Sequence, residues 1–397
     1  MSTVRLKPGH VQPVWAGHPW IYAQAVDSID AGVVAGDEVR VVDPRGNLLG
    51  RGFYSLGSAI PVRILARDDT TQFDAGFFRA RFERAIGLRS AMGLPDQAPG
   101  LETDGYRLVH AEGDDLPGLM VDRYGGTLAV QFGTIGMKQR EAMIREALRA
   151  ATGARTILDR TSAQTAKMEG FDPGSGLARD TGEGALEFSE RGLRYCIPQE
   201  LGQKTGFYFD QRPLRARVEA LAAGKRVLDA YAFVGAFAMA AARGGAREVV
   251  AVEESASAVQ VGTACAAANG VAERVTFVKG DARKALAEGA ATFDLVVADP
   301  PRLAPTRGAR EQALIAYTKL AENACRATRP GGLVVICSCS AAVDLLALTR
   351  ALATGATRAN VQATVLERWF QGSDHPVPAA FGEGLYLKAL VARVDAR

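Results

Sequence analysis

What the chain lacks narrows its function before any motif is read. No apolar run approaches the roughly eighteen residues that a helical membrane span needs, so a membrane partner is not expected. The opening MSTVRLKPGH has no apolar core of a secretory leader. Cysteine is sparse: Cys196, Cys265, Cys325, Cys337 and Cys339 are odd in number and irregularly spaced. That argues against a disulfide framework and for a reducing, cytoplasmic setting. The four histidines, His10, His18, His110 and His375, lie far apart in sequence and none is close to the C-x-C pair, so a zinc site is not expected. Neither sign of charge dominates, with 47 Lys and Arg against 44 Asp and Glu; the net charge of +3 permits an acidic partner without requiring one. Two nucleotide signatures are missing as well. GQKTG has neither the first glycine of a P-loop nor the glycine before its lysine, and no G-x-G-x-x-G follows any apolar strand.

What stands in place of that fingerprint is RVLDAYAFVGAF, residues 226–237. It reads as a strand, a turn and a helix N-terminus, the place where open α/β sheets bind nucleotide-like ligands. The turn holds one glycine, Gly235, and is preceded by an acid, Asp229. An acid there repels pyrophosphate and attracts a cation, which favours S-adenosylmethionine, with its sulfonium and ammonium, over NAD. The next strand, VVAVE, ends in Glu253, placed to grip ribose hydroxyls.

At 397 residues the chain has room for two or three domains. Residues 1–68 carry short β signals broken by turns and read as a small β-barrel. Arg5, Lys7, Arg40, Arg45, Arg51, Arg63 and Arg67 are interleaved there with Trp15, Trp20, Tyr22 and Tyr54. The mixture suits RNA, but composition alone favours aromatics filling a barrel beneath solvated arginines, because Asp37, Glu38 and Asp43 dilute the positive field. Residues 69–185 read as a small α+β module: a helix at AGFFRARFERAIGLRS, strands at YRLVHAEG, GLMVDRYG and TLAVQF, one helical run MKQREAMIREALRAATG, and a strand RTILDR. Residues 186–397 alternate strands and helices, which predicts a parallel sheet covered on both faces. They close on VQATVLERWF and LYLKALVARV, which should pair antiparallel. The expected fold class is α/β, a doubly wound sheet whose antiparallel C-terminal strand fits a methyltransferase sheet better than a plain dinucleotide fold.

Two strand ends carry chemistry. Asp299-Pro300-Pro301 follows FDLVVA, and paired prolines hold an acid on a stiff turn. Cys337-Ser338-Cys339-Ser340 follows GGLVVI. Taken alone, both thiols suit small buried hydrophobes. Beside a methyl donor another role opens. Cytosine C5 is a poor nucleophile, and a thiolate adding at C6 turns the ring into an enamine that is nucleophilic at C5. Cys339, beyond the strand end, is better placed for this than Cys337, and Asp299 could hold the N3/N4 edge of the base. Methylation of an exocyclic amine needs no cysteine but usually an aromatic after the prolines, and here Arg302-Leu303 follow.

GHPWIY, YRLVHAEGDDLPGLMVDRYG, QKTGFYFDQR, LDAYAFVGAF, ADPPR, CSCS and DHPV…GEGLYLK stand in order along nearly the whole chain. In these the chain resembles the bacterial 23S ribosomal RNA cytosine-C5 methyltransferases, which join a PUA domain to a central α+β module and a class I methyltransferase domain. The resemblance implies Cys339 as nucleophile and Asp299 as the acid that orients the base. It implies an S-adenosylmethionine site lined by Asp229, Gly235, Glu253 and Asp281, with Asp281 near the adenine. A loop from Lys204 through Phe207 to Arg212 would close over the methionine end. It further implies ribosomal RNA as partner and a homodimer. The chain departs from the family at Val234-Gly235-Ala236, where T-G-G is common, and at Arg302, where lysine is common. The altered turn leaves open a second reading, an RNA-binding assembly factor that has lost activity.

Overall fold

The computed structural model describes residues 1–172, 184–201, 206–303 and 310–397. Two compact units form. One comprises Met1–Gly192, Ile197–Phe209 and Ser373–Gly384; the other comprises Leu193–Cys196, Asp210–Gly372 and Leu385–Arg397.

The first unit contains two sheets. β1 (Ser2–Leu6), β2 (Trp20–Ile21), β3 (Val26–Ile29), β4 (Glu38–Val42), β5 (Leu48–Tyr54) and β6 (Val62–Ala66) form a six-stranded sheet in the order β2-β6-β5-β4-β1-β3. Alternating Val4 and Leu6, Val39 and Val41, and Val62 and Ile64 supply its core, as a period of two requires. The short helix α1 (Val11–Trp15) leaves Trp15 76% exposed. The second sheet, in the order β10-β9-β8-β7, is built from β7 (Gly105–His110), β8 (Leu119–Tyr124), β9 (Thr127–Phe132) and β10 (Thr156–Asp159). It shares a core with α2 (Ala75–Ala91) and α4 (Glu141–Thr152), centred on Phe78, Phe82, Leu108, Val121, Val130 and Leu148. The helical run expected at residues 137–153 is broken at Arg140 into α3 (Ile135–Gln139) and α4. Arg140 leaves helical geometry (φ −100°, ψ 13°), and its guanidinium lies 3.7 Å from the Phe53 ring centre while donating to the Gly36 carbonyl. α5 (Ala163–Glu169) and β11 (Ala185–Glu190) follow, and within β12 (Leu193–Pro198) the chain changes unit.

The second unit is organised by a seven-stranded sheet: β13 (Arg226–Ala230), β14 (Glu248–Glu253), β15 (Val275–Lys279), β16 (Phe293–Ala298), β17 (Thr328–Ser338), β18 (Val361–Phe370) and β19 (Lys388–Ala396). Their order is β15-β14-β13-β16-β17-β19-β18; the first five run parallel and β19 is antiparallel to both neighbours. The predicted antiparallel ending is therefore present. Every residue of β16 is buried, as a strand covered on both faces demands. The helices are α6 (Arg212–Leu221), α7 (Ala236–Arg243), α8 (Ala256–Ala268), α9 (Ala282–Glu288), α10 (Arg310–Ala327) and α11 (Leu345–Arg358). Strand register brings the parallel strands to a common edge. Val278, Val252, Ala230, Ala298 and Ile336 form one row across them. Lys279, Glu253, Tyr231, Asp299 and Cys337 therefore stand together at its carboxyl edge.

Candidate active site

The turn after β13 is held in an unusual backbone. Tyr231 (φ 68°), Phe233 (φ 51°) and Gly235 (φ 76°) all take positive φ, which costs the two aromatic residues about 1–3 kcal/mol each. Such strain persists only where the surroundings fix it, and here Glu253 does so. One of its carboxylate oxygens accepts from the Phe233 N–H at 2.9 Å, the other from the Ser255 N–H at 2.9 Å. Gly235 is required on two counts. Its φ favours glycine, and a Cβ would lie 2.4 Å from the Phe277 ring, as would one added at Gly262 of α8. Val234 is fully buried and Ala236 nearly so, so neither substitute for the T-G-G pattern exposes its side chain.

Asp229 is 1% exposed and accepts from the Ala238 N–H at 3.0 Å in the first turn of α7. Burial pushes its carboxyl up to about 8, against the pull of that hydrogen bond; the negative charges of Asp299 and Glu253 push it further, and Arg215 opposes them. Asp281 caps α9 by accepting from the Arg283 N–H at 2.8 Å. It also takes the Arg283 guanidinium, and that contact holds its carboxyl below the usual range.

At the next strand end, Asp299 is half-buried on its Pro300-Pro301 turn and accepts from Gln211 Nε2 at 3.0 Å. Gln211, 3% exposed, is set at the entrance to α6 by its neighbour Asp210, which accepts from the Tyr386 hydroxyl at 2.5 Å. The two thiols part company. Cys337 is fully buried, and burial, reinforced by the Asp299 charge, drives its thiol well above the ordinary value. Cys339 lies just past the end of β17, partly exposed between two fully buried serines, Ser338 and Ser340. Lys388 at the head of β19 is paired with Ser338 and donates through Nζ to the Ser340 carbonyl at 2.9 Å.

Asp229, Gly235, Glu253, Asp281, Asp299 and Cys339 thus all belong to the carboxyl edge of one sheet. Arg212 opens α6 in the same unit. Phe207 belongs to the first unit, where it is buried among Phe188 and Phe209 and donates its N–H to the Tyr124 hydroxyl. Lys204 lies outside the described residues. Gln211, Arg215, Tyr317 and Lys388 carry no signal in the sequence that marks them individually. Gln211 and Lys388 do lie inside the motifs QKTGFYFDQR and GEGLYLK.

The donor set fits a cationic cofactor. Three carboxylates, Asp229, Glu253 and Asp299, influence one another at the strand ends with Arg215 opposing, and one of them is a buried acid that a positive charge would ionise. A pyrophosphate would meet the wrong sign. A family model described as S-adenosylmethionine-dependent methyltransferase matches residues 107–376. The chain belongs to that family. A second model, a PUA-like domain, matches residues 4–67. Among similar proteins, ribosomal RNA large subunit methyltransferase I of Shewanella denitrificans is 34% identical over 397 residues, covering 98% of this chain and 99% of the relative. A ribosomal RNA large subunit methyltransferase of Deinococcus radiodurans is 36% identical over 386 residues, covering 96% and 94%. In fold, the chain is similar to a candidate SAM-dependent methyltransferase of Streptococcus mutans: TM-score 0.80, 19% identity, 99% and 100% coverage. It is similar also to a candidate methyltransferase solved with SAH, at TM-score 0.82 with the same identity and coverage. S-adenosylmethionine is accordingly the cofactor of this methyltransferase.

Proposed function

We propose that this methyltransferase modifies C5 of a cytosine in large-subunit, 23S, ribosomal RNA through a covalent bond between Cys339 and C6 of the base. The names of the two relatives support the RNA. The observation that carries the mechanism is Cys339 itself: a partly exposed thiol just beyond the strand that neighbours the Asp299 turn, while Cys337 is sealed.

When bound, S-adenosylmethionine supplies an electrophilic methyl carbon. The chain's own residues prepare the base. Cys339 adds to C6, and the displaced π pair raises electron density at C5. Asp299, steadied by Gln211, holds the N3/N4 edge and favours the protonated adduct. Loss of the C5 proton then expels the thiolate. The target must leave its stack to reach a strand edge. In this reading residues 1–68 grip RNA, with exposed Trp15 offering a stacking face, residues 69–185 form the connecting module, and residues 186–397 hold the chemistry.

The test is methyl transfer from labelled S-adenosylmethionine to ribosomal RNA. Cys339→Ala should lose at least about a thousandfold in rate, since it removes the nucleophile, whereas Cys337→Ala should retain most activity. Methylation by Cys339→Ala at the wild-type rate, or a methyl recovered on an exocyclic amine, would refute the covalent C5 route.

A further inference from the structure

Lys388 is 5% exposed, although it heads a strand where the fold itself asks for no charge. A lysine buried to this degree is rare unless paired. Its Cα is in register with Ser338, and its ammonium reaches past the strand end to the Ser340 carbonyl, so it spans the position of Cys339. Burial pulls the ammonium down, and among the charges that face it the Cys339 sulfur pushes it back most, followed by Asp344 at the N-cap of α11; Arg302 after the proline turn acts the other way. Cys337 of β17 and Tyr317 of α10 also feel the charge of the sulfur, and both feel Asp299 of the proline turn. Burial pushes that thiol and that phenol above their ordinary values, which keeps both neutral. Lys388 is thus a buried cation placed to balance a negative sulfur.

We propose that Lys388 is a positioning residue that keeps Cys339 ionised: its buried ammonium, tethered to the Ser340 carbonyl, offsets the negative charge of the thiolate. This rests on the covalent C5 reading and deepens it. With the thiol proton already given to solvent, addition forms the S–C6 bond and shifts the C5–C6 π pair to C5 with no proton to remove from sulfur. At the end a solvent base takes the C5 proton, the S–C6 bond breaks, and its pair returns to a sulfur that faces an ammonium.

The experiment is iodoacetamide alkylation as a function of pH, resolved by peptide mass, on the whole protein without RNA. Exposed Cys196 serves as the internal control. Cys339 in the wild type should alkylate with a midpoint below the ordinary thiol value of about 8.5. Lys388→Met should raise that midpoint by about 1–3 units, Lys388→Arg should restore most of it, and Cys196 should not move in either. A wild-type midpoint at or above the ordinary value overturns the proposal even if Lys388→Met does not fold. So does a folded Lys388→Met with an unchanged midpoint. Neither result depends on which atom is methylated, so a wild-type rate in Cys339→Ala would sink the covalent reading separately.

Discussion

In the proposed cofactor site, Asp229 is the residue whose protonation should respond most directly to a bound cation. Its carboxyl, ordinarily ionised at neutral pH, is held by burial near 8 in the free protein. Because the folded form then binds more protons than the unfolded chain, this group's contribution to stability falls as pH rises from about 4 through about 8. A cation placed against Asp229 reverses that preference. Cofactor binding below about pH 8 should therefore release a proton, and affinity should climb with pH until about 8 and then level off from this source. Calorimetry near neutral pH, in two buffers of different ionisation enthalpy, should show release approaching one proton. Asp229→Asn should abolish the release and weaken binding by about ten- to a hundredfold, the worth of a hydrogen bond to a charged partner. Proton release unaltered by that substitution would place the cation elsewhere.

The turn between β13 and α7 is where local conformation should bear on cofactor affinity. Gly235 both occupies the left-handed region and leaves room for the Phe277 ring, which Gly262 flanks from α8. Gly235→Ala should therefore cost about 1–3 kcal/mol from backbone strain alone, with the clash against Phe277 adding to it. The readout is a lower urea midpoint together with weakened cofactor binding; a variant with unchanged stability would mean the turn relaxes at no cost. This element also marks how far a linear reading reaches. The placing of Asp229, Gly235 and Glu253 at strand ends and a turn was legible because a strand ending in an acid, followed by a glycine and a helical run, is a local pattern. The strained Tyr231 and Phe233 were not, since no propensity assigns positive φ to an aromatic residue; the Glu253 carboxylate fixes the Phe233 N–H from the next strand. Lys388 escaped for a related reason. It reaches Ser340 across 48 residues, and only the antiparallel register of β17 and β19 brings them together.

The path of the chain through its two units adds a constraint that pattern reading does not see. Residues 373–384 follow the long strand β18 of the second unit yet belong to the first. There Asp374, fully buried, accepts from the Arg107 N–H at 3.1 Å and from the His375 ring at 3.0 Å, while its carbonyl accepts from Arg89 at 2.7 Å. Arg89, also fully buried, forks onto Asp114 and donates to the Arg107 carbonyl at 2.9 Å. The stretches YRLVHAEGDD and DHPV, remote in sequence, are thus two sides of one buried polar network around a single guanidinium. Removing that guanidinium leaves Asp114 charged and unbalanced in the interior, a loss of about 3–5 kcal/mol, which is a large share of the roughly 5–15 kcal/mol typical of a folded domain. Arg89→Met should accordingly lower the urea midpoint sharply. Arg79→Met provides the contrast, because Arg79 pairs with Glu83 on the same helix with both side chains more than half exposed, and such a pair is worth only about 0–1 kcal/mol. Equal midpoints for the two variants would mean that the network is not what joins residues 373–384 to the first unit.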